Sequence, residues 1–200
     1  VEIDRSSISA PGGRVDLGGL SAAGTVNLQE DGSKSFPDGI ARSDISLTNG
    51  AEVDVRAGGG GFIDVNARNL LLSGQSSLFA GIAEGMGMSD AQAGDIAIDV
   101  TDNLTLDESR ITNPVNRGGV GNSGNINVNT GSLTAINGGE FDASTLGKGD
   151  AGLVEIIAKG DITFDGTTSD GDRGGAISRV NSDGDSRVNS DGEGNAGGVT

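Results

Sequence analysis

Residues 123–152 read SGNINVNTGSLTAINGGEFDASTLGKGDAG, and three short strands can be picked out of them. Ile126 and Val128 alternate with Asn, Leu133 and Ala135 alternate with Thr and Ser, and Phe141 stands alone between Glu140 and Asp142. Alternation with period two places one set of side chains on a buried face and the other in water. Gly, Asn, Asp and Ser fill the intervals, and these are the residues that turn a chain. The stretch therefore reads as strand, corner, strand, corner, strand.

The opening of this unit recurs along the chain. GNINV from Gly124 is matched by GRVDL from Gly13, GFIDV from Gly61, GDIAI from Gly94 and GLVEI from Gly152, and GGVT at Gly197 begins a sixth copy. The unit is about thirty residues, with two long insertions, which is the mark of a repeat architecture. Aligned on the glycine, Ile63, Ile96, Ile126 and Val154 form one column, and Val65, Ile98, Val128 and Ile156 form the next. A second strand carries Leu70, Leu104, Leu133 and Ile162, followed two positions on by Leu72, Leu106, Ala135 and Phe164. A third carries Leu78, Ile111 and Phe141. The stretch Ile45-Ser-Leu-Thr-Asn-Gly-Ala-Glu-Val53 repeats Leu133-Thr-Ala-Ile-Asn-Gly-Gly-Glu-Phe141, so Asn49-Gly50 and Asn137-Gly138 occupy equivalent corners.

Asn-Gly also suits a tight antiparallel hairpin, because both residues tolerate positive φ. A meander of hairpins need not return each strand type to the same column, whereas a coil of three strands must. The expected fold is all-β, a single-stranded parallel β-helix in which each strand lies about 4.8 Å from its copy in the next turn. About five coils at that spacing give a rod about 24 Å long. Further strand signals fall at residues 14–17, 25–28, 44–47, 52–55, 62–65, 95–100, 153–156 and 161–164.

Composition agrees with a thin interior and excludes much chemistry. The chain has 200 residues, 37 of them Gly, with aromatic residues at 2% and no Trp or Tyr. Its core must be built from aliphatic side chains. The formal net charge is −16 at pH 7, which repels nucleic acid and anionic lipid surfaces. No stretch approaches the run of about 18 apolar residues that a membrane span requires. With no His and no Cys, the imidazole base, the thiol nucleophile, the zinc site and the disulfide are all absent. Carboxylate chemistry and oxygen-ligated hard cations remain.

Two sets of acidic residues bear on those options. In residues 166–195 an eight-residue duplication, RVNSDGDS from Arg179 and RVNSDGEG from Arg187, clusters Asp183, Asp185, Asp191 and Glu193. Such a cluster suggests calcium, but the spacing fails the EF-hand, since the sixth and twelfth positions counted from Asn181 are Ser186 and Gly192. GGGGFIDV at Gly58 to Val65 also fails the nonapeptide calcium repeat, with Phe62 and Ile63 in the wrong places. The segment reads as a solvated loop. Asp64, Asp95, Asp99 and Asp102 near Arg68 are the carboxylates that a polysaccharide-processing β-helical enzyme would use. Acidic residues are frequent enough here to produce such a set by chance. Asn66, Asp99 and Asn129 align one step past the second ladder as a polar stack on the surface. No residue is assigned as catalytic, cofactor-binding or metal-ligating, and no cofactor is expected.

The stretches PGGRVDLGGL (Pro11 to Leu20), FPDGIARSDISLTNGAEV (Phe36 to Val53) and residues 123–152 resemble the filamentous haemagglutinin family, large exoproteins of two-partner secretion, in the version common in cyanobacteria. The resemblance covers residues 1–165 and resumes at Gly194. It implies a right-handed parallel β-helix, exported through an outer-membrane pore transporter with periplasmic receptor domains and then held at or shed from the cell surface as a non-catalytic adhesin. Host, cell or glycan surfaces are the implied targets. PGGRVDLGGL is similar to the motif near the end of the family's amino-terminal secretion domain. The organisation expected is thus the end of that domain at 1–40, repeat coils at 41–165, a Gly/Asp/Ser-rich insertion at 166–195 and the start of another repeat at 196–200. Both ends read as cut from a longer protein, whose family signal peptide and asparagine-proline motifs are not among these residues. The alternatives are a β-helical polysaccharide-processing enzyme and a calcium-binding extracellular module.

Overall fold

The single apolar residues of VEIDRSSIS are enough to open the first coil. β1 (Glu2–Asp4) turns Ile3 inward, β2 (Ser7–Ser9) turns Ile8 inward, and β3 (Arg14–Gly18) contributes Val15 and Leu17. A computed structural model describes residues 1–29, 34–36, 40–167, 171, 174–180 and 197–200. After an excursion containing β4 (Asn27–Leu28) and β5 (Lys34–Ser35), the second coil runs through β6 (Ile45–Thr48), β7 (Glu52–Asp54) and β8 (Phe62–Ala67). The third has β9 (Leu70–Ser73), β10 (Ser77–Phe79), an outlying β11 (Gly87–Gln92) and β12 (Ile96–Val100). The fourth has β13 (Asn103–Asp107), β14 (Arg110–Thr112), β15 (Val120–Asn122) and β16 (Ile126–Thr130). β17 (Ser132–Ile136), β18 (Glu140–Asp142) and β19 (Val154–Ala158) make the fifth, and β20 (Ile162–Asp165) and β21 (Gly175–Ile177) begin the sixth. No helix occurs among the described residues.

Every coil lays its strands parallel on those of its neighbours, and the chain is a parallel β-helix with three sheet faces. The first sheet has the order β1-β6-β9-β13-β17-β20, the second β2-β7-β10-β14-β18-β21 and the third β19-β16-β12-β8-β3. The predicted columns are the observed ladders. Ile63 pairs Ile96, which pairs Ile126, which pairs Val154, with Val15 extending the row at the other end. Leu47, Leu72, Leu106, Ala135 and Phe164 stack on Ile3 in the first sheet. Val53, Leu78, Ile111 and Phe141 stack in the second. Six strands in two of the sheets exceed the five coils counted from the repeated glycine, because β1 and β2 precede the first glycine motif and carry one apolar residue each.

These ladders form one aliphatic column, and burial of each such side chain contributes roughly 1.5–3 kcal/mol. Most of the stabilisation is shared between adjacent coils, whose strands pair directly. Phe141 and Phe164 meet edge to face, with ring centroids 6.3 Å apart at 84°, beside Ala135, the smallest residue of its ladder.

Two kinds of corner explain the polar and glycine residues that recur. Between the first and second sheets the chain turns through the left-handed region at Asn49 (φ 58°) and Gly50 (φ 76°), at Gly74 and Gln75, at Glu108, and at Asn137 (φ 50°) and Gly138 (φ 81°). Buried serines line this corner from inside: Ala51 N donates to Ser76 Oγ and Ser76 N donates to Ser109 Oγ, both at 3.2 Å. Where the third sheet begins, a Cβ on Gly94 would press on the Gly61 carbonyl oxygen at 2.7 Å, and one on Gly124, Gly152 or Gly197 would run into the carbonyl of the preceding glycine of the series. The repeated opening glycine is thus a close approach of backbone to backbone from coil to coil.

Of the run at residues 25–28 only Asn27–Leu28 is a strand, and it lies outside the solenoid. β4 pairs antiparallel with β5 in a small hairpin within the excursion between the first and second coils. Strands β1, β2 and β3, within residues 1–40, are stacked in register on the second coil. Part of the 166–195 insertion, read as a loop, supplies β21, where Ala176 pairs Phe141 on the inward ladder. Alternating apolar residues were the cue for strands, and GAI offers too few of them. The carboxylates Asp183, Asp185, Asp191 and Glu193 lie outside the described residues.

Candidate functional site

A cluster of charged side chains sits on the outer face of the third sheet. β3 and β8 place Asp16 directly beside Asp64. Arg14 bridges them, its Nε donating to Asp16 Oδ1 and its Nη2 to Asp64 Oδ2, each at 2.9 Å. Lys34 Nζ lies 3.0 Å from Asp16 Oδ2, and Asn66 Nδ2 donates to Asp64 Oδ1 at 2.8 Å. Burial pushes the Asp64 carboxyl above its ordinary value; Arg14 pulls it down, while the Asp16 charge adds to the rise. Burial also acts against the Arg14 charge, but the two carboxylates overcome it and hold the guanidinium above its ordinary value. All four carboxylate oxygens have a partner, so the group works as a clamp.

That clamp fastens the excursion at 19–44 to the sheet. Phe36 covers Gly18, where a Cβ would come within 2.5 Å of the ring. Arg42 lies 5.8 Å from the centre of the same ring, and it donates to Asp99 Oδ2 at 2.7 Å and to the Asp99 carbonyl at 2.8 Å. Lys34, Phe36 and Arg42 of the excursion thus contact the outer face of the first and third coils.

Three of the four carboxylates singled out with Arg68 go to separate neighbours, and Asp102 stays close enough to Arg68 to add, after Asp44, to the rise of the guanidinium above its ordinary value. Asp64 is held by Arg14 and Asn66, and Asp95 Oδ1 accepts from the Asn125 backbone at 2.7 Å. Asp99 takes Arg42 and, at 3.3 Å, Asn129 Nδ2. Arg68 makes its bidentate pair with Asp44, at 2.8 and 2.7 Å, and not with any of the four. These bonds, with Asn69 Nδ2 at 2.9 Å, hold the Asp44 carboxyl well below the usual carboxylate range. The Asp102 backbone carbonyl accepts from Ser132 N at 2.8 Å. Among the described residues no three carboxylates gather closely enough to hold a metal ion. The polar stack is in register as read, with Asn66, Asp99 and Asn129 side by side on successive coils.

A second polar feature was not foreseen. An open groove of about 520 Å³ runs parallel to the solenoid axis where the third sheet begins. One wall is the outward column of Phe62, Asp95 and Asn125; the other is the column of Gln92, Asn122 and Asp150. The walls are tied into the coils by side-chain bonds to backbone. Asn125 Oδ1 accepts from Leu153 N at 2.9 Å, Asn122 Oδ1 from Asp150 N at 3.0 Å, and Gln92 Nε2 donates to the Ser123 carbonyl at 2.8 Å. Ser123, in the floor, donates to the Asn113 carbonyl. These side chains belong to ordinary turn residues, frequent throughout the sequence, and only the pairing of β11 with β15 brings the two columns face to face.

No helix among the described residues is long and apolar enough to cross a membrane. No protein-family model, curated protein or solved structure matches this chain.

Proposed function

We propose that these coils form a non-catalytic shaft of a secreted, cell-surface adhesin of the filamentous haemagglutinin type, exported by two-partner secretion. The observation that supports the reading is the uninterrupted register of all three sheets from the first coil to the last, with Asp64 and Asp99 paired to arginines and Asp95 bonded to backbone. A solenoid whose coils are stabilised by their nearest neighbours can form progressively as the chain leaves a pore. Absence of cysteine removes the risk of crosslinks formed in transit. The excess of negative charge keeps the rod soluble and monomeric while it extends.

The test is to look beside the gene for one encoding a pore-forming transporter, to delete it, and to follow the protein by cell fractionation. It should reach the surface or medium only when the transporter is present, and remain in the periplasm otherwise. Export that is indifferent to the transporter, or glycan turnover that is lost on replacing one carboxylate, would displace the shaft reading.

A further inference from the structure

The groove beside the third sheet holds an apolar ring in a place where the fold does not require one. Phe62 is 43% exposed at the outward first position of β8, where its register partners are Arg14 on one side and Asp95 on the other. The ring leans over Gly94, where a Cβ would meet Cγ and Cδ1 at 2.8 Å, so the missing side chain of Gly94 is what lets the ring lie low against the next coil.

Around the ring stand side chains whose hydrogen bonds within the described residues engage one end of each. Asn122 and Asn125 accept through Oδ1, which leaves Nδ2 of each as a donor. Gln92 donates through Nε2, which leaves Oε1 as an acceptor, and Asp95 accepts through Oδ1, which leaves Oδ2. Donors and acceptors thus alternate around an aromatic face. A sugar ring presents the matching surface, with C–H groups on its face and hydroxyls, each both donor and acceptor, on its rim.

Charge narrows the class. Asp95 and Asp150 line the groove and, among the described residues, no Lys or Arg does, so the lining favours neutral sugars over uronates, sialates and sulfated sugars. We infer that this groove is a binding site for a neutral, hydroxyl-rich oligosaccharide lying along the solenoid axis, with Phe62 as its stacking platform and the amides of Asn122, Asn125 and Gln92 as its hydrogen-bonding rim. The inference deepens the adhesive part of the proposed function, and rests on it for its biological use. The groove's chemistry stands independently of how the chain is exported.

The experiment is a titration of the ¹⁵N-labelled 200-residue chain with cellotetraose, with the tetramer of N-acetylglucosamine and with tetragalacturonate, following side-chain amide resonances. At least one neutral sugar should shift the amides of Gln92, Asn122 and Asn125 in a saturable way, and tetragalacturonate should not. Phe62→Ala should weaken binding about tenfold or more, which is about 1.4 kcal/mol, with unchanged far-ultraviolet circular dichroism. Should that variant unfold, Asn122→Asp keeps the acceptor for Asp150 N, replaces the donor, and should weaken binding likewise. Silence of these amides with both neutral sugars, equal binding of galacturonate, or full affinity in a folded Phe62→Ala or Asn122→Asp chain would overturn the proposal. Loss of transporter dependence would leave the binding result untouched, and loss of binding would leave the shaft standing.

Discussion

Asn137 donates its side-chain amide to Asp107 Oδ1 on the preceding coil at 2.6 Å, and Asn49 makes the same bond to Asp4 Oδ1, also at 2.6 Å. Both asparagines sit in the left-handed region, where most residues with a Cβ are strained. The asparagine therefore does two things at the corner: it accepts the backbone conformation, and it fastens one coil to another. Asn137→Ala should lose about 2 kcal/mol in urea unfolding, combining backbone strain with the lost bond, and Asn137→Gly should lose about 1 kcal/mol. Asn137→Asp sets a carboxylate against Asp107 and should cost more at neutral pH than Asn137→Ala.

The glycine series gives a sharper contrast. A Cβ on Gly124 meets the Gly94 carbonyl and the Asn113 side chain, whereas one on Gly50 meets nothing within 4 Å. Gly124→Ala should cost about 3 kcal/mol or more, because backbone must move to relieve the clash. Gly50→Ala should cost about 1 kcal/mol, from its φ of 76° alone. Equal losses by chemical denaturation would contradict the close approach between coils.

The excursion at 19–44 is held to the third sheet from outside the aliphatic column. Arg42→Ala removes the ion pair to Asp99 and the contact with Phe36. Thermolysin should then cut within 19–44 much faster than in the parent chain, while global stability changes by less than about 1 kcal/mol. A large drop in unfolding free energy would mean that the excursion is part of the cooperative unit.

Acid should destabilise the solenoid, with one group acting in the opposite sense. Hydrogen bonds from Asn49 and Thr48 hold the Asp4 carboxyl below its ordinary value, and Arg68 and Asn69 do so for Asp44. At Asp54 burial opposes the shift, but the Arg56 hydrogen bonds prevail and the carboxyl is again lowered. Each lowered group contributes stability that is present above the ordinary carboxylate value and lost as pH falls through its own lower value. Asp64 is raised, so its contribution is present at low pH and lost as pH rises through the raised value. Thermal melts from neutral to acid pH should show stability falling from about pH 4 downward. Asp44→Asn should make the fall shallower and Asp64→Asn should make it steeper.

Much of this architecture can be read from residue order, and what escapes does so for physical reasons. Ile63, Ile96, Ile126 and Val154 announce their ladder because a buried column tolerates only aliphatic side chains and recurs once per coil. β1 and β2 give a weaker signal, with Ile3 and Ile8 each alone in a three-residue strand. β11 gives none: GMSDAQ is exposed along nearly its whole length and lacks the alternating apolar residues of the other strands. The run at 25–28 has the composition of a strand, yet its pairing partner is a neighbour in sequence, a choice that alternation alone does not encode. The groove is hidden for a related reason. Asn122 and Asn125 are typical turn residues one by one, and their meaning comes from being stacked on Gln92 and Asp95 of another coil.

The backbone bonds that join one coil to the next point along the length of the rod in all three sheets. A tether anchored at one end and tugged at the other by flow or by a moving cell would load those bonds in line with the pull, and every junction would carry the same tension. The weakest junction would then act as a mechanical fuse, opening first while its neighbours stay closed, and the coil on each side would keep its template for closing again.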